Sequence, residues 1–139
     1  MSSDESHDHS CPPETILFVE DDALVRMDMA EYLRECGYRV HGAANAAEAL
    51  AALQAKFAID LVFTDINLGQ GTNGVELARW ILENRPGVKI IVTTGEDSAH
   101  DLPTEAGALL PKPYTGRTLV ARIKEALQTG PSDAQRPSV

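Results

Sequence analysis

Between residues 14 and 128 the chain switches five times between a short apolar run and a longer segment with helical spacing. A period that alternates between 2 and 3.6 leaves few packings open, because each run must be covered by the segments that flank it. Ile16-Leu17-Phe18-Val19 is continuously apolar, as a strand covered on both faces should be. Val25, Met29, Tyr32, Leu33 and Cys36 then fall at helical spacing, with Gly37 as the stop. Arg39-Val40-His41 alternates like an edge strand, and Asn45 with Glu48 forms a capping box ahead of Leu50, Leu53 and Phe57. Leu61-Val62-Phe63 is the third strand. A Gly-rich loop follows, then a helix with Asn73 as N-cap and Leu77, Ala78, Ile81 and Leu82 facing inward. Residues 88–92 and 108–110 read as strands four and five, and Thr115 caps a last helix that buries Leu119, Val120, Ile123 and Leu127. The stretch 95–107 holds Pro103 and is weakly helical, so the spacing predicts a short or irregular fourth helix there. Strands separated by helices pair in parallel through right-handed crossovers, which gives a doubly wound α/β sheet.

The 139 residues suit one domain over 14–128 with disordered tails at 1–13 and 129–139, where Ser, Pro, Asp and Gln dominate without periodicity. No apolar run approaches the ~20 residues that span a bilayer. The N-terminus has no basic stretch followed by an apolar one, so the cytoplasm is the expected compartment and no membrane partner is expected. The net charge is −9, of which Asp4, Glu5, Asp8 and Glu14 contribute −4. A field of that sign repels nucleic-acid backbones and favours a divalent cation or a basic partner surface. Cys11 and Cys36 are expected not to pair, Cys36 being read as a buried free thiol. His7, His9 and Cys11 alternate in the tail without a frame that would preorganise a metal site.

In an open parallel sheet, ligands bind beyond the carboxyl ends of the strands. Strand one ends in Glu20-Asp21-Asp22, strand three in Thr64-Asp65, strand four in Thr93-Thr94 and strand five in Lys112-Pro113. Converging carboxylates repel one another unless a cation compensates, and oxygen ligands without histidine select Mg²⁺. Beside such a cation Asp65 can serve as a carboxylate nucleophile toward phosphorus, with Lys112 and the Thr93 hydroxyl left to meet phosphoryl oxygens. Each feature has an ordinary reading as well. The acids can be an N-cap and first-turn charges, Asp65 a turn residue, Thr93 a strand threonine and Lys112 a solvated charge. Their joint placement at one sheet edge is the informative signal.

With VEDD at 19–22, FTDINL at 63–68, IVTTG at 91–95 and LPKPY at 110–114, residues 14–128 resemble the receiver domain of bacterial two-component response regulators, in particular the stand-alone, CheY-like kind. The resemblance implies a flavodoxin-like five-stranded sheet in the order 2-1-3-4-5. It implies that Asp65 accepts a phosphoryl group and that Asp21 binds Mg²⁺ directly, with Glu20 acting through water. The main-chain carbonyl of Asn67 would be a further ligand, Thr93 the switch hydroxyl, and Lys112, before a cis proline bond, the phosphate contact. The implied donor is a sensor histidine kinase, hybrid or not, or a histidine phosphotransfer protein, and the implied output is contact with a downstream protein. Slow self-dephosphorylation would accompany Mg²⁺-dependent self-phosphorylation, with no other enzyme activity.

Three departures stand out. The loop 67–74 lacks the usual Met-Pro and is one residue longer, its glycines suggesting mobility; Leu109 replaces the usual aromatic, with Tyr114 as a substitute readout; and 95–107 is short. Trp80 reads as half-buried packing, and Arg26 with Arg34 as a solvated face that in the family often meets the phosphorelay domain. A phosphatase with an aspartyl-phosphate intermediate would want an acid where Asn67 stands, and a flavin carrier would want a neutral loop where Glu20-Asp21-Asp22 stands. A receiver that binds a partner without taking phosphate is kept open by Leu109 and the loop.

Overall fold

The computed structural model describes residues 13–55, 58–66, 74–94 and 108–128. Five strands, β1 (Thr15–Val19), β2 (Arg39–Ala43), β3 (Leu61–Asp65), β4 (Lys89–Thr94) and β5 (Ala108–Pro111), pair in parallel in the order β2-β1-β3-β4-β5. Four described helices, α1 (Ala23–Glu35), α2 (Ala46–Gln54), α3 (Gly74–Asn84) and α4 (Gly116–Gln128), cover the sheet. This is the doubly wound, flavodoxin-like order implied by the resemblance. The expected helix in 95–107, residues 1–12 of the expected tail at 1–13, the tail at 129–139, Phe57, Asn67 and the Asn73 cap lie outside the described residues.

Strand parity sorts the interior into two cores. Leu17, Val19, Val62, Ile90 and Val92 face α2 and α3, where Ala49, Leu53, Leu77, Ala78 and Ile81 meet them. Ile16, Phe18, Leu61, Phe63, Ile91 and Leu110 face α1 and α4 and pack on Leu33, Leu119 and Ile123. Each large side chain so buried contributes about 1.5–3 kcal/mol. Val120 and Leu127 are only partly buried beside that second core, and Leu82 and Trp80 beside the first.

The helix ends follow their local chemistry. Asn45 Oδ1 accepts from Glu48 N–H (2.8 Å), while Glu48 Oε1 accepts from Ala44 N–H (2.7 Å), one residue earlier than the usual reciprocal bond. Thr115 Oγ accepts from Thr118 N–H at 3.1 Å. Gly37 takes φ +106° after α1, a conformation that favours glycine.

α1 departs from the expected stripe. Ala30 and Leu33 are buried and Met29 packs beside them, while Val25 and Tyr32 are 38% and 37% exposed. Cys36 is exposed rather than buried, because it is the C-cap residue, past the last turn that packs on the sheet. The inward stripe therefore runs through positions 26, 30 and 33, and Arg26, expected to be solvated, is half-buried. Arg34 is exposed as expected.

Candidate functional site

The α1/α4 face leads directly to the candidate chemistry. Phe18, Phe63, Ile91 and Leu110 belong to one core, and Glu20, Asp65, Thr93 and Lys112 each lie two residues beyond one of them. Residues i and i+2 of a strand share a face. Register aligns them as well, since Val19 pairs with Thr64, Asp65 with Thr93 and Thr93 with Leu110. Glu20, Asp65, Thr93 and Lys112 therefore meet at one edge of the sheet, on one face of it.

Lys112 Nζ donates to Asp65 Oδ2 at 2.6 Å. Asp65 is 5% exposed and Glu20 6%. The Lys112-Pro113 bond is cis. Burial pulls the Lys112 pKa down, but the hydrogen bond and charge of Asp65, followed by Glu20 and Asp21, outweigh it and hold the ammonium above its ordinary value. Burial raises the Glu20 pKa, a hydrogen bond from the Asp22 main chain opposes this, and the Asp21 and Asp65 carboxylates add to the rise. Glu20 thus feels the like charge of both acids expected beside it.

Asp22 does the capping, its Oδ1 accepting from Leu24 and Val25 N–H at 2.9 and 3.2 Å. The ordinary reading of the acidic run is true of its third member, while Glu20 interacts with the charge of Asp65, and Asp21 with those of Glu20 and Lys112. Among the described residues no three His, Cys, Asp or Glu side chains close into an ion cage on their own. Glu20, Asp21 and Asp65 gather three carboxylates near the Lys112 ammonium that meets Asp65, a donor set that a hard divalent cation with oxygen and water ligands would fit.

The hydroxyls differ. Thr64 Oγ donates to the Asp65 carbonyl at 3.0 Å, whereas the Thr93 and Thr94 hydroxyls are buried without a partner among the described residues. Strand parity puts the Thr93 hydroxyl on the face of Asp65, with which it pairs in register. Thr94 lies on the other face, and nothing in the described residues accounts for its unpaired hydroxyl.

Sequence reasoning missed two contacts. A Cβ on Gly74 would lie 2.3 Å from the Asp65 carbonyl and 2.9 Å from Ile66 Cα, so only glycine lets α3 begin against the Asp65 main chain. Nothing local in the sequence marks a contact made across a loop. Arg26, the second, donates from Nη1 to the Glu20 carbonyl at 2.7 Å. Tyr114, named as a substitute aromatic, packs edge-on to Phe63 (5.6 Å between ring centroids), and Phe63 stacks on Phe18 (4.7 Å). Burial, then the charges of Glu20 and Asp65, push the Tyr114 phenol up to about 12, which ties that ring electrostatically to the site.

A sheet of this order, with acids, a threonine and a lysine at the carboxyl edge, defines a class of signalling domain, and the comparisons agree. Residues 16–124 match the model of the response regulator receiver domain. The chain belongs to that family, whose members are phosphoacceptor signalling domains of two-component systems. It is 36% identical over 130 residues to the phosphate regulon transcriptional regulatory protein PhoB of Pseudomonas aeruginosa, covering 88% of this chain and 56% of that one. It is 35% identical over 119 residues to the sensor kinase CckA of Brucella abortus, covering 82% of this chain but 12% of the kinase. The chain thus spans little more than half of one curated relative and a small part of the other. Among solved structures, a CheY-like receiver domain protein of Methanospirillum hungatei is 35% identical with TM-score 0.76, covering 84% of this chain and 94% of that one. The response regulator TrrA of Thermotoga maritima, solved in complex with Mg²⁺-BeF, is 31% identical with TM-score 0.74, covering 82% and 99%. No described helix is long and apolar enough to cross a membrane.

Proposed function

We propose that Asp65 is the phosphoacceptor of a cytoplasmic response regulator whose receiver occupies residues 14–128. The observation that carries the reading is the Lys112–Asp65 contact at 2.6 Å beside the unpartnered Thr93 hydroxyl. An Asp65 carboxylate oxygen attacks the phosphorus of a phosphohistidine on a sensor kinase or phosphotransfer protein. The bond from phosphorus to the imidazole nitrogen breaks, its electron pair stays with the ring, and the ring takes up a proton as needed.

Lys112 is placed to follow the negative charge from Asp65 to the arriving phosphoryl oxygens. The Thr93 hydroxyl, without a partner among the described residues, would donate to such an oxygen when it arrives. Mg²⁺, when bound, would offset charge on the phosphoryl oxygens. Asp21, Asp65 and the main-chain carbonyl of Asn67 would hold it, with Glu20 acting through water. The shift of Thr93 toward the phosphoryl group would alter the packing of the α1/α4 face, and a downstream protein would read that change by contact. Hydrolysis of the aspartyl phosphate by water returns the chain to rest.

The test is the intact mass after incubation with a small acyl-phosphate donor, with and without Mg²⁺, on wild type and Asp65→Asn. The expected result is one phosphate adduct that needs both Mg²⁺ and Asp65. An adduct on Asp65→Asn, or none on wild type even with a phosphorylated phosphotransfer domain as donor, overturns the reading.

A further inference from the structure

Arg26 is the charged member of the inward stripe of α1, and its surroundings are unlike those of a surface arginine. Its stem crosses Gly42 of β2, where an added Cβ would lie 3.3 Å from Arg26 Cδ and 3.4 Å from Cγ. Its guanidinium then reaches back to the first acid of the turn, Nη1 donating to the Glu20 carbonyl at 2.7 Å. The Glu20 N–H donates to the carbonyl of Ala43, the neighbour of Gly42, at 2.9 Å. Both main-chain polar groups of Glu20 are thus held, one by β2 directly and one by an arginine whose stem β2 supports.

The Glu20 carbonyl lies in the same rigid peptide plane as the nitrogen and Cα of Asp21. Fixing that carbonyl therefore fixes where the Cα of Asp21 sits, the point from which its side chain departs. The Asp22 N–H, one peptide further on, donates to Glu20 Oε2 at 3.1 Å, so the Glu20 side chain is oriented by the same turn.

We infer that Arg26 is a positioning residue for the acidic turn, setting through the Glu20 main chain how tightly the chain holds Mg²⁺. The inference rests on the proposed phosphoacceptor reading, in which Glu20 and Asp21 are on the metal side of the site. Arg26 touches neither metal nor phosphoryl group. It acts by keeping two acids aimed, as partners behind a ligand commonly do, with losses of roughly 10–100-fold in metal affinity when they are removed.

Arg34 supplies the comparison. It lies on the same helix and makes the same kind of bond, Nη2 to the Val40 carbonyl at 3.0 Å, away from the acidic turn. The experiment is a titration of the full chain with Mg²⁺ alone, read from main-chain amide NMR shifts, on wild type, Arg26→Met, Arg26→Lys, Arg34→Met and Gly42→Ala. Arg26→Met raises the Mg²⁺ dissociation constant about tenfold, Arg26→Lys recovers part of the loss, and Arg34→Met stays within about twofold of wild type. Gly42→Ala keeps the guanidinium but crowds its stem, and weakens binding by less than Arg26→Met.

Wild-type affinity in Arg26→Met overturns the inference, as does an equal loss in Arg34→Met, which would mark a general effect of α1. If Arg26→Met fails to fold, wild-type affinity in Gly42→Ala overturns it. The two readings separate cleanly. Mg²⁺ binding that depends on Arg26 in a chain taking no phosphoryl group removes the Asp65 proposal alone. Phosphoryl uptake with Mg²⁺ binding indifferent to Arg26 removes this one alone.

Discussion

The two faces of the sheet are built from the same strands and carry different burdens. On the α2/α3 face Leu17, Val19, Val62, Ile90 and Val92 meet small and aliphatic helix residues. On the α1/α4 face the core includes Phe18 and Phe63, Tyr114 packs at its end, and the next residues along are Glu20, Asp65, Thr93 and Lys112. The first face is a packing layer. The second is a packing layer whose far end is charged, and the Tyr114 ring packed at that end feels the charges of Glu20 and Asp65. Within β3 the division is one residue wide, with Val62 and Thr64 on one side and Phe63 and Asp65 on the other.

Truncating a large residue on each face should separate the burdens most strongly. Phe63→Ala is expected to cost about 3–5 kcal/mol and Ile81→Ala about 2–5 kcal/mol by denaturant unfolding. Among molecules that remain folded, Phe63→Ala should also slow phosphoryl uptake, because Tyr114 loses its support, whereas Ile81→Ala should leave the rate per folded molecule unchanged. Equal slowing in both would erase the contrast.

A finer comparison uses two threonines of near-identical burial. Thr64→Val removes a made hydrogen bond and should lose about 1 kcal/mol. Thr93→Val removes a hydroxyl that has no partner among the described residues and should gain about 1 kcal/mol in the absence of phosphate. Denaturation midpoints of opposite sign are the expected result.

The smallest effect is at alkaline pH. The Tyr114 pKa is raised from about 10 to about 12, so the neutral phenol is favoured in the folded state. Its contribution to stability is complete below about pH 10 and is lost as pH rises through about 12. Tyr38 is shifted the same way by burial, with the charge of Glu14 next. Phenolate absorbance should show one tyrosine ionising last, and Tyr114→Phe should remove that step and flatten the alkaline loss of stability.

Much of this was legible in the sequence, for reasons that differ by residue. The alternation of strands and helices, and with it the strand-end positions of Glu20, Asp65, Thr93 and Lys112, follows from periods that local sterics and burial enforce, whereas the order of the strands in the sheet came from the resemblance. The face of α1 was read one position off, because Met29 and Leu33 belong to two overlapping stripes and the aliphatic stem of Arg26 counts as polar in a pattern. Cys36 looked buried because its spacing continues the stripe past the point where the helix ends. The close approach of Gly74 to Asp65 and the reach of Arg26 to Glu20 are tertiary contacts that no local pattern announces. Asn67, the third departure in 95–107 and the cap at Asn73 lie outside the described residues and stay as sequence expectations.

The central claim is that one carboxylate, Asp65, carries the phosphoryl group, and an acyl phosphate can be located chemically. Reducing the phosphorylated chain with borohydride converts a phosphorylated aspartate to homoserine, which tandem mass spectrometry assigns to a position. Homoserine at position 65 alone, absent without Mg²⁺, is the expected result. Homoserine at Asp21, at Asp22 or at any other acid, with Asp65 unmodified, would contradict the account.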